Sequence, residues 1–71
     1  MTKRESDIFI EKMVVNAFEI YFHRDNEERQ KIAISWFLAR ASLYEELTGD
    51  SATIKKICIN NNIKFIFDTY F

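Results

Sequence analysis

The sequence has no proline, one glycine (Gly49), one cysteine (Cys58) and one histidine (His23). Each scarcity excludes something. A lone cysteine cannot close an intrachain disulfide, and one cysteine with one histidine cannot complete a Cys/His zinc site. A single glycine rules out a glycine-rich phosphate loop. Without proline, no ring clash or missing amide interrupts a helix. Charge of one sign is also lacking: ten basic residues stand against eleven acidic ones, giving a formal net charge of -1. Binding nucleic acid through phosphate contacts alone calls for a clearly basic face, which this balance does not indicate. Nor is there a long hydrophobic run. The apolar stretch of residues 8–22 contains Glu11, Lys12 and Glu19, and its longest uncharged piece, residues 13–18, is far short of the roughly 20 residues that span a bilayer. No small-residue cleavage site follows residues 1–7, so no signal peptide is read there and a cytoplasmic location is expected.

What is present is apolar and aromatic in excess. Hydrophobic residues make up 48% of the chain and aromatics 15%, a composition incompatible with intrinsic disorder. Residues 1–71 form one domain, and a core of that size yields only a few kcal/mol of net stability unless a staple is added. Disulfides and zinc being excluded, close helix packing or oligomerisation is left, and the apolar excess favours association. The richness in Ile, Lys, Asn and Phe is also what AT-rich coding DNA produces, so a phage or mobile-element source is expected.

Residues 8–22 organise the rest. On a 3.6-residue helix, Glu11, Lys12, Asn16, Glu19 and His23 fall in one narrow stripe and apolar residues cover the remaining circumference. An ordinary surface helix has an apolar stripe of roughly 100°. Such a helix either runs through the middle of a small bundle or keeps part of its surface for another chain. Thr2 and Glu5 have capping-box spacing at its start. Asp25 with Glu28 repeats the pattern for a second helix that runs to about Thr48 and stops at Gly49. The short break between them makes the two helices antiparallel neighbours. On helix 2 the main apolar stripe reads Ile32, Trp36, Ala39, Leu43 and Leu47, flanked by Ala33, Phe37 and Tyr44. Ile34 and Leu38 stand beside the polar face. Asp50 or Ser51 caps a third helix, which residues 60–62, three asparagines, interrupt. The tail, residues 63–71, supports a strand by alternation and a short helix by 3.6-residue spacing. The helix is preferred, because a lone strand has no partner in the chain. The expected fold is therefore all-α, a small bundle of three to four helices with a central hydrophobic first helix.

No constellation supports catalysis. Glu19 and His23 stand at i and i+4, a metal-ligand spacing without convincing further ligands, so no metal, cofactor or small molecule is expected. Cys58 reads as a buried apolar thiol. A non-enzymatic regulator is expected, homo-oligomeric or bound to a protein partner, with Leu38, Phe67, Tyr70 and Phe71 as interface residues because aromatics dominate contact energetics. The alternative is a DNA-binding helix-turn-helix over residues 40–60, with Leu43, Leu47, Ile54 and Ile57 as its clamp and Lys55, Lys56 and Asn60 facing the groove. Against it, Tyr44 stands where a small residue normally lets the helices approach.

Overall fold

A computed structural model describes all 71 residues as four helices: α1 (Lys3–Phe22), α2 (Glu27–Thr48), α3 (Ser51–Asn60) and α4 (Lys64–Tyr70). Each boundary has a local cause. The Thr2 hydroxyl accepts from the Glu5 amide while the Glu5 carboxylate accepts from the Thr2 amide, both at 3.2 Å, so the capping box forms as its spacing requires. The second cap lies one place later than expected. A turn after α1, closed by the Asn26 amide on the His23 carbonyl at 2.9 Å, leaves Asn26 rather than Asp25 extended (φ -125°) to receive the Arg29 amide at 3.2 Å. Gly49 ends α2 in the left-handed region (φ 69°), where a residue without Cβ sits at no steric cost. Asp50 caps α3 through the Thr53 amide at 3.1 Å. The Thr53 hydroxyl, and then its amide, hold the Asp50 carboxyl below the usual carboxylate range. The α3 end is a Schellman turn: Asn62 is left-handed (φ 60°), Ile63 N–H reaches the Cys58 carbonyl at 2.9 Å, and Asn62 N–H reaches that of Ile59 at 3.2 Å. The tail is helical from Lys64.

The two long helices form an antiparallel hairpin that sets the 37 Å long dimension of the molecule. At 1.5 Å per residue, α3 and α4 are only about 15 and 10 Å long, too short to sheath that hairpin. Only Gly49 and Asp50 separate α2 from α3, so the short helices sit at the end of the hairpin where α1 begins. Met13, Ala17 and Ile20 of α1 meet Ala33, Phe37, Ala41 and Tyr44 of α2, and Ile54, Ile57, Cys58, Ile63 and Ile66 close the cluster. Phe9 packs on Tyr44 with ring centroids 6.1 Å apart.

The face that α2 buries differs from the one its apolar stripe predicts. Ile32, Trp36, Ala39, Leu43 and Leu47 all remain exposed, and Ala33, Phe37, Ala41 and Tyr44 go inside. Two physical reasons favour this orientation. Ala33 and Ala41 let the α1 backbone approach closely, which bulkier stripe residues would prevent. It also pairs the polar groups: Arg40 Nη1 donates to Oδ1 of the buried Asn16 at 2.6 Å, and the buried Tyr44 hydroxyl donates to the Asp50 carboxylate at 3.4 Å. Buried polar groups left without such partners would cost on the order of 1–3 kcal/mol each.

Candidate interaction surface

On α1 part of the polar stripe is covered while much of the apolar surface is not. Of the polar stripe, Asn16 is buried, and Glu19 and His23 are half-buried and line a groove with Asn26, Arg29 and Ile32, whereas Glu11 and Lys12 are exposed. The outer side carries Val14, Val15, Phe18, Tyr21 and Phe22, all exposed. Phe18 and Phe22 stack on each other at 5.8 Å, and the His23 ring meets Phe22 edge-on at 5.0 Å. Fifteen large hydrophobic side chains are exposed, whereas the core holds twelve residues, three of them alanine. More large apolar side chains therefore lie outside than inside, which is unusual for a small monomer.

The most ordered part of this surface is the α2 stripe. Ile32 (55% exposed), Trp36 (56%), Leu43 (45%) and Leu47 (56%) recur at helical spacing with Ala39 between them. It continues onto α1, because Ile8 shares one groove with Leu43 and Arg40 and a second with Val15 and Arg40. Arg40 borders the stripe. Its guanidinium is drawn toward the hairpin junction by Asn16 and lies 5.6 Å from its own Trp36 ring.

Of the four residues expected at an interface, the structure brings two into the core margin. Leu38 and Phe67 are half-buried and pack against the central cluster. Tyr70 (55%) and Phe71 (42%) are exposed, with Phe71 stacked on Phe67 at 5.6 Å. The sequence reading names Ile32, Trp36, Leu43 and Leu47 only as the main apolar stripe of α2 and does not number them among the interface residues. The signal that marks the true contact face is the spacing of the small residues Ala33 and Ala41 around Phe37.

Lys55, Lys56 and Asn60 are all exposed on α3, and the Lys55 ammonium lies 5.9 Å from the Phe67 ring centroid. The helix-turn-helix clamp is only half formed. Ile54 and Ile57 are buried, but Leu43 and Leu47 are exposed, and Tyr44 is buried at the junction with its hydroxyl on Asp50. Glu19 and His23 share their groove with Glu28, but no group of three or more His, Cys, Asp or Glu residues is placed to hold a metal ion. Cys58 is fully enclosed, and burial pushes its thiol up to about 11. No helix is long and apolar enough to cross a membrane. Comparison with protein families, characterised proteins and solved structures finds no match.

Proposed function

We propose that this chain is a non-enzymatic interaction protein of the regulatory or adaptor kind, working as a homodimer or on a protein partner, and encoded by a phage or similar mobile element. The observation that carries the reading is the excess of large apolar side chains on the surface over those in the core. Leaving them in water has no compensating gain for an isolated molecule, whereas a partner that covers them recovers the burial energy. Sedimentation and binding of a hydrophobic dye test it. Association, or dye binding by a folded monomer, is the expected result, and a monomer at tens of micromolar with no dye affinity would overturn it.

The exposure of Lys55, Lys56 and Asn60 along α3 favours a second reading, DNA binding. A titration with random duplex DNA separates the two, because phosphate contacts weaken steeply with salt.

A further inference from the structure

We propose that two copies of this chain join through α2, antiparallel, about a twofold axis that passes between Ala39 and Arg40. The inference rests on the interaction reading above and specifies both the surface and its occupant. Its basis is the spacing of the exposed stripe: Ile32 and Leu47 are equally far from the point between Ala39 and Arg40, and so are Trp36 and Leu43. A stripe with this mirror spacing is complementary to itself when the second helix runs the opposite way, which is what a twofold interface requires. Trp36 then packs on the partner subunit's Leu43, and Ile32 on the partner subunit's Leu47. Ala39 and Arg40 lie equally near the axis: Ala39 lets the two backbones come close, and the Arg40 guanidinium is turned back toward Asn16.

The available area also fits a second copy. Ile8, Val15, Ile32, Trp36, Leu43 and Leu47 are each about half exposed, and together they offer on the order of 500 Å² of apolar surface. A standard interface buries about 800 Å² per partner, somewhat over half of it apolar. The stripe therefore supplies the apolar share of a stable dimer. On α2 no carboxylate or ammonium falls within the stripe; at its α1 margin Glu11 and Lys12 share the grooves with Ile8, Val15 and Arg40, and Arg40 donates to Asn16.

The test is sedimentation equilibrium of the full chain between about 1 and 100 μM, with circular dichroism as a check on folding. The wild type is expected to dimerise in this range. The double variant Trp36→Glu, Leu43→Glu should raise the dissociation constant by at least about 100-fold, since each residue is a central anchor. Helical content should persist because neither side chain reaches the core. Tyr70→Glu serves as a control that leaves the dimer intact. Ala39→Cys should give a disulfide-linked dimer on mild oxidation, and Ser42→Cys, off the stripe, should not. That pair decides the matter if the glutamates unfold the chain. A wild type monomeric at 100 μM overturns the proposal; if it still binds the dye, the partner reading survives, and if it does not, both fall. A dimer that resists the double variant but yields to Tyr70→Glu places the interface on α4 and refutes the α2 seam alone.

Discussion

Trp36 and Phe37 are neighbours in sequence with opposite fates, and their truncation separates burial from bulk. Phe37 is fully enclosed between α1 and α2, and Trp36 is 56% exposed. Phe37→Ala removes a buried ring and leaves a cavity, at a cost of about 3–5 kcal/mol. At about 0.05–0.15 kcal/mol per residue, the whole domain holds about 4–10 kcal/mol, so this single change removes between a third and all of it. With a urea slope of about 1 kcal/mol per molar, the midpoint falls by about 3 M or the chain unfolds outright. Phe37→Leu, which keeps most of the volume, should lower the midpoint by about 1 M and remain folded. Trp36→Ala, although it deletes the larger side chain, should cost under about 1 kcal/mol in dilute solution, where self-association is negligible. The assay is urea denaturation followed by far-ultraviolet circular dichroism at about 1 μM and again at 100 μM. The reasoning is refuted if Trp36→Ala destabilises as much as Phe37→Ala at the lower concentration, or if Phe37→Ala is silent. An effect of Trp36→Ala confined to the higher concentration agrees with the proposed dimer, because any complex formed only by the folded state adds stability by mass action.

Two further predictions concern positions away from that pair. At Gly49 nothing lies within 4 Å of where a Cβ would stand, yet φ is +69°. Gly49→Ala should therefore cost about 1–2 kcal/mol from backbone strain alone, and Gly49→Asn distinctly less, both read as shifts in thermal midpoint. The enclosed Cys58 thiol should resist a thiol reagent at pH 8 in native protein and react at once in denaturant. Its acidity also sets an alkaline limit. In the unfolded chain the thiol ionises near its ordinary value of 9.0, and in the folded chain only near 11. Between those values the folded state holds the extra proton, so stability is full below pH 9 and falls as pH rises toward 11, by at most about 3 kcal/mol. Cys58→Ala should flatten that part of the profile, and an unchanged slope would refute the assignment.

How much of this was legible beforehand follows from the range of the interactions involved. The ends of α1, α2 and α3 could be read because caps act over three or four residues: Thr2 with Glu5, Gly49 alone, and Asp50 with Thr53. The one misplaced cap, Asp25 for Asn26, depended on how the chain left α1, which spacing does not specify. For the tail a helix is preferred over a strand because nothing in the chain offers a strand partner, and the structure makes it helical from Lys64.

By itself, then, the sequence determined an all-α chain of three to four helices, the approximate limits of the first three, and an apolar excess large for its length. Which side of each long helix faces inward was decided only in three dimensions. Ile32, Trp36, Leu43 and Leu47 form the more hydrophobic stripe, yet α2 buries Ala33, Phe37, Ala41 and Tyr44. That face admits the α1 backbone at close range and gives Asn16 and Tyr44 their partners in Arg40 and Asp50. Periodicity ranks faces by hydrophobicity, one helix at a time. Burial is settled between helices, where shape and the pairing of polar groups can outweigh the larger apolar area, and the area left over becomes the surface open to another molecule.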